Sequence, residues 1–164
     1  MTLKIRPATK ADSQHLTPLI NDFVRYLHNL EEKKNTSNPP PGADQIVANI
    51  FAPDLGVNIL AAENDKGHII GFLCYHLTFW VENNRPGAFV TAISVGKKYR
   101  HQGVGHALLE RALKNIGQRG GEQVMITVHT SNKKAIEFYK SLGGDFYKTE
   151  KLILMPTDNT KKSA

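Results

Sequence analysis

Val95-Gly96-Lys97-Lys98-Tyr99-Arg100-His101-Gln102-Gly103-Val104-Gly105-His106-Ala107 is the stretch that decides how this chain folds. Before it, residues 88–95 read as a strand. After it, Val104, Ala107, Leu108, Ala112 and Ile116 recur at helical spacing, so 103–119 reads as a helix that Gly120-Gly121 stops. A strand therefore ends in a basic, glycine-containing turn that opens a helix. The first N–H groups of a helix lack intrahelical partners and carry a partial positive charge. Glycine lets a ligand reach that backbone without meeting a Cβ. The combination makes an anion cradle, although the two glycines alone also suit a tight turn. A nucleoside-triphosphate loop needs Gly-Lys-Ser/Thr, and here Gly105 precedes His106-Ala107. The dinucleotide fingerprint needs a small residue where Leu108 stands.

Outward from this segment the elements alternate. Residues 3–8 read as an edge strand. Thr9 and Asp12 have the spacing of a capping box, and Leu16, Leu19, Ile20, Phe23, Val24 and Leu27 make 10–33 an amphipathic helix. Pro39-Pro40-Pro41 breaks it, and a short helix follows with Ile46, Val47, Ile50 and Phe51. Residues 57–63 and 68–80 read as an antiparallel hairpin about Asn64-Asp65-Lys66-Gly67, and 82–87 as the next turn. Residues 123–129 form a strand, 132–142 a helix and 146–155 the last strand. The order is β-α-α-β-β-β-α-β-α-β. It predicts a mixed α/β fold, with a mostly antiparallel sheet, helices on both faces and one parallel pair joined by a crossover. One domain over 1–156 and a flexible polar tail over 157–164 are expected.

Composition narrows the function. Among 164 residues, 40% are hydrophobic and 22% charged, which is globular usage. No apolar run nears the roughly 20 residues of a membrane span, and the N-terminus shows no apolar signal region. A cytoplasmic location is expected by elimination. Cys74 is the one cysteine, so an internal disulfide and a cysteine-based structural zinc site are excluded. The histidines show no metal-ligand spacing, and no metal is expected. The net charge of +6 suits an anionic partner. The basic residues are dispersed and carry no nucleic-acid motif, so neither nucleic acid nor a membrane is expected as a partner.

Arg100-x-x-Gly103-x-Gly105 after Ala92-Ile93-Ser94-Val95 resembles the acetyl-CoA signature of the GNAT superfamily, the Gcn5-related N-acetyltransferases. Asn132-Lys133-Lys134-Ala135-Ile136-Glu137-Phe138-Tyr139 and the following Gly143 resemble that family's second signature. Ile5-Arg6-Pro7-Ala8-Thr9 with Asp12, and Ile70-Gly71-Phe72, are similar to its first and third strands. The resemblance covers about residues 3–155 and implies an acyl-CoA N-acyltransferase fold. It implies that the strands at 88–95 and 123–129 splay, and that the pantetheine arm pairs with backbone near Ile93, Ser94 and Val95. It implies a pyrophosphate on the N–H groups of His101, Gln102, Gly103, Val104 and Gly105, with Arg100 adding charge and His106 beside them in the cofactor-binding set. Asn132, Ala135, Phe138 and Tyr139 complete the implied cofactor set. Lys133 and Lys134 read as surface lysines or as neighbours of the 3′-phosphate.

The implied activity is acetyl transfer from acetyl-CoA to a primary amine of a small molecule or protein by direct attack. Tyr139 is the implied proton donor to the departing sulfur, and the Val95 N–H the oxyanion donor. Many relatives place a carboxylate just before the signature valine, where this chain has Thr91-Ala92-Ile93-Ser94. The base then falls to His129 or His76, because imidazole changes charge near neutral pH, or to a water wire. Cys74 and His76 share a strand face, so a covalent acyl-enzyme is conceivable, but a buried inert cysteine is the expectation. The acceptor pocket is expected around Asp22, Tyr26, residues 35–42, Tyr75, Phe79 and Trp80. The absence of acids at 91–94 argues against a polyamine. A non-catalytic acyl-CoA-binding module is the alternative, and a homodimer is compatible with a free hairpin edge.

Overall fold

The computed structural model describes residues 2–30, 42–82 and 84–147. The chain divides into two compact units, Met1–Ser131 and Asn132–Ala164. The described part of the first holds β1 (Lys4–Pro7), α1 (Ser13–Leu30), α2 (Ala43–Ile50), β2 (Val57–Glu63), β3 (Ile69–Trp80), β4 (Arg85–Val95), α3 (Val104–Gly117) and β5 (Gln123–Ile126). The described part of the second holds α4 (Lys133–Ser141). The sheet order is β1-β2-β3-β4-β5, antiparallel from β1 to β4 and parallel between β4 and β5. This is the mixed α/β class that the element order predicts.

The core forms on both sides of β3. Alternation along the strand sends Phe72 and Cys74 to one face, where they join Leu16 and Ile20 of α1, Val47 of α2 and Ile59 of β2. Val104 and Leu108 of α3 sit over Gly71 on the opposite face. The α3 side chains Leu108, Ala112 and Ile116 are buried. β3 is consequently buried from Ile69 to Tyr75, and its alternating pattern appears only in the outer half of the hairpin.

Several boundaries differ from the sequence reading. Residues 10–12 form a 3-10 turn and α1 begins at Ser13. The Asp12 carboxylate accepts the Thr9 N–H at 2.8 Å and closes that turn before the helix starts. Pro18 lies in the early part of α1. β4 starts at Arg85, inside the expected turn, because Phe79 and Trp80 pair with Pro86 and Arg85. Proline donates no N–H, and the outer end of a hairpin tolerates it. β5 stops at Ile126, since its partner β4 stays in register only from Gly87↔Gln123 to Val90↔Ile126. Of the last expected strand, Phe146 and Tyr147 lie in no strand, and 148–155 lie outside the described residues, as do 31–33 of the first helix and 157–164.

Candidate active site

The parallel pair is short, and β4 outruns it. After Val90↔Ile126, β4 continues to Val95 with β3 on one side and, among the described residues, no strand on the other. Which backbone groups face that open edge follows from the register. The Gly96 N–H donates to the Ile70 oxygen at 2.9 Å. In an antiparallel ladder, hydrogen-bonded and non-bonded pairs alternate, so Phe72↔Ser94 is bonded whereas Leu73↔Ile93 and Gly71↔Val95 are not. The backbone groups of Ile93 and Val95 therefore point to the open edge, and those of Ser94 point to β3. A bulge shifts the register here, with Cys74 opposite Ala92 and Tyr75 opposite Val90. Thr91 is the extra residue, and its hydroxyl lies 3.4 Å from the Cys74 oxygen.

The chain then turns directly into α3. Lys97–Tyr99 form a 3-10 turn closed by the Tyr99 N–H to the Gly96 oxygen at 2.8 Å. The Arg100 Nε donates to the Val95 oxygen at 3.0 Å, and the Gln102 Nε2 to the Lys98 oxygen at 2.9 Å. His101 has φ +60° and Gly103 φ +79°, so the backbone enters the helix through two left-handed residues. Only glycine adopts that conformation without cost, and a histidine held there is the kind of strain that gathers at functional sites. Nothing lies within 4 Å of where a Gly103 Cβ would stand. His101, Gln102, Gly103 and His106 are exposed, Gly105 is half-buried, and Val104 anchors the helix start with 1% exposure. From Val95 to Ala107 the chain contains no acidic residue. An exposed, positively polarised helix start thus follows at the end of an open strand edge.

A cavity of about 260 Å³ opens between α1, α2 and the sheet. Ile20, Phe23 and Val24 of α1 and Ile46 and Ile50 of α2 form one wall. Cys74 and His76 of β3, with Thr91 and Ala92 of β4, form the other. Among the described residues, the expected acceptor side chains Asp22, Tyr26, Tyr75, Phe79 and Trp80 are not in its lining. Asp22 is exposed and stands 3.8 Å from Arg25. Tyr75 is buried on the opposite face by alternation, and Phe79 is 54% exposed. Trp80 packs over Gly87. Residues 35–41 lie outside the described residues. The lining residues of α1 and α2 read from sequence as apolar helix faces, and periodicity carries no sign of where a helix stands off its sheet.

The two candidate bases have different surroundings. His76 is half-buried and lines the cavity. His129 is exposed beyond the end of β5, with Nδ1 2.7 Å from the Ser131 hydroxyl. Cys74 is buried, and loss of solvent pushes its thiol up to about 12. Burial thus disfavours the thiolate that acyl transfer would need, although Cys74 and His76 do share a strand face. Among the described residues, no group of three or more His, Cys, Asp or Glu is placed to hold a metal ion. No described helix is long and apolar enough to cross a membrane.

In the second unit, Asn132 caps α4 by accepting the Ala135 N–H on Oδ1 at 3.2 Å. Ala135, Phe138 and Tyr139 are half-buried, and Lys133 and Lys134 are exposed. Burial pushes the Tyr139 hydroxyl up to about 12. Its ring lies 5.3 Å from that of Phe138.

Known proteins resemble this chain in sequence and fold. Residues 24–144 match the acetyltransferase (GNAT) family. The chain is 27% identical to thialysine N-epsilon-acetyltransferase of Sus scrofa over 143 residues, 85% of this chain and 82% of that protein. It is 34% identical over 95 residues to mycothiol acetyltransferase of Saccharomonospora viridis, 54% of this chain and 30% of that protein. Its fold matches the crystal structure of ribosomal-protein-alanine N-acetyltransferase from Brucella melitensis biovar Abortus 2308 with TM-score 0.77 and 16% identity, over 94% of this chain and all of that one. With the family matched across most of its length, the chain belongs to the acetyltransferase (GNAT) family and is an N-acetyltransferase.

Proposed function

We propose that this chain transfers the acetyl group of acetyl-CoA to a primary amine of a small molecule or protein by direct attack. One observation carries the reading: the open edge of β4 at Ile93 and Val95 leads straight into the polarised start of α3. The residues present fit a CoA thioester. The backbone groups of Ile93 suit an amide of the pantetheine arm, as an added strand does, and Val95 continues the same edge toward the reacting acyl group. The N–H groups from His101 to His106, with the Arg100 guanidinium nearby, suit the pyrophosphate. Asn132, Ala135, Phe138 and Tyr139 complete the proposed set on α4. When bound, acetyl-CoA supplies an activated acyl group whose C–S bond breaks as the C–N bond forms.

The protein has three tasks in that exchange. An alkyl ammonium is only about one part in 2,500 neutral at pH 7, so the attacking nitrogen must lose a proton. No carboxylate stands at 91–94, and His76 on the cavity wall is the proposed final acceptor, with the more exposed His129 as the other candidate; His76 pairs opposite Phe89, six residues before Val95, so the proton reaches it through water. The Val95 N–H, facing the open edge, is the proposed donor to the acetyl oxygen as negative charge develops. Such a donor is worth roughly 3–4 kcal/mol. Tyr139 keeps its proton at any ordinary pH and is the proposed donor to the leaving thiolate.

Thiol release by the purified protein, followed with acetyl-CoA and an amine panel that includes thialysine, tests the proposal. Amine-dependent release together with acetyl-CoA binding by calorimetry is expected. Absence of both overturns it. His76→Gln lowering turnover far more than His129→Gln assigns the base, and the reverse order reassigns it.

A further inference from the structure

The cavity beside Thr91 and Ala92 restricts what kind of amine can be acetylated, an inference that rests on the acetyl transfer proposed above. Thr91 is solvent-exposed and also lines the cavity, so the cavity communicates with the surface where the open edge of β4 begins. Its opposite wall, including Phe23, Ile46 and Ile50, is apolar. Among the described lining residues none is Asp, Glu, Lys or Arg. The polar side chains are His76, Thr91 and the buried Cys74, all on the sheet side. We infer that the acceptor is a primary monoamine with an apolar body, an alkyl or arylalkyl amine, whose hydrocarbon fills this cavity and whose nitrogen lies at the Ala92 end, toward the open edge of β4.

Size and charge both lead there. A dry apolar cavity of roughly 150 Å³ accommodates benzene. At about 260 Å³ this one has room for an aromatic ring and a short alkyl linker. A second ammonium, as in a polyamine, or the carboxylate of an amino acid would lie against Phe23 and Ile46 with no counter-charge among the described lining residues. Burying such a charge unpaired is strongly unfavourable.

Initial rates with acetyl-CoA and a series of n-alkylamines, phenethylamine, spermidine and lysine test this. The expected result is kcat/KM rising about two- to fourfold per added methylene until the cavity is full. Phenethylamine should exceed spermidine and lysine by at least about tenfold. Two cavity-filling variants, Ile50→Phe and Val24→Phe, should each raise KM for phenethylamine by about tenfold or more while acetyl-CoA binding by calorimetry stays unchanged. Either variant suffices, provided its melting temperature shows it folded. Faster turnover of spermidine or lysine, or no dependence on chain length, overturns the inference and leaves acetyl transfer standing. An unchanged KM in the folded filled variants also overturns it. No turnover with any amine and no acetyl-CoA binding removes the acetyl-transfer reading itself, and this inference with it.

Discussion

The Arg100 Nε donates to the Val95 backbone oxygen at 3.0 Å, which ties the turn before α3 to the end of β4. By register that oxygen faces the open strand edge, so Arg100 occupies it and leaves the Val95 N–H as the neighbouring backbone donor. One side chain thereby sets the spacing between the strand edge and the helix start, and places a fixed positive charge between them.

Replacing that side chain should weaken acetyl-CoA binding more than it weakens the fold. Hydrogen bonds to charged groups contribute about 1.5–3 kcal/mol, so Arg100→Ala is expected to raise the calorimetric Kd for acetyl-CoA roughly 10- to 100-fold. Arg100→Lys keeps the charge and loses the planar fork, and an intermediate Kd is expected. An unchanged Kd in both variants would remove Arg100 from the site.

Tyr139 is held protonated by burial, with its hydroxyl pushed up to about 12. As a proton donor it should affect turnover, not binding. Tyr139→Phe is expected to lower kcat by roughly a hundredfold with little change in KM for acetyl-CoA. The wild-type rate should show no alkaline fall from this group until pH approaches 12. Equal kcat in the two proteins would assign the ring to packing against Phe138 alone.

Stability in acid should depend on Asp12. Its side-chain hydrogen bonds with Arg6, at 2.8 and 2.9 Å, outweigh the burial that opposes them and hold the carboxyl down at about 2. Glu63 binds the same guanidinium at 2.5 Å. A carboxyl lowered in the folded state stabilises the protein above its unfolded value near 3.8, and that stability is lost as pH falls toward 2. The contribution is about 2 kcal/mol at neutral pH. Asp12→Asn should lower the melting temperature at pH 7 and leave it little changed at pH 2; an equal loss at both values would show that the ion pair is not the source.

Gly87 opens the parallel pairing of β4 with β5. A Cβ there would run into the Trp80 indole and come within 2.9 Å of the Gln123 backbone oxygen. Gly87→Ala is therefore expected to cost about 1–3 kcal/mol in chemical denaturation, as overpacking does. Trp80→Ala in the same chain should relieve part of that loss, and an additive double variant would exclude this contact as the cause.

The local parts are legible in the amino-acid sequence. The Thr9–Asp12 spacing marks the turn that leads into the first helix, and the glycines at 103 and 105 mark the start of α3; each rests on contacts a few residues apart. Periodicity also identifies which side chains of α1 turn inward. That β4 and β5 pair over four residues is set by the tertiary structure, because it depends on strands far apart in sequence and not on either strand's composition. The bulge at Thr91 and the stand-off of α1 and α2 from the sheet are set in the same way. A buried apolar residue and one lining a cavity obey the same helical period, so Phe23 and Ile50 read as core until the helices are placed against the sheet.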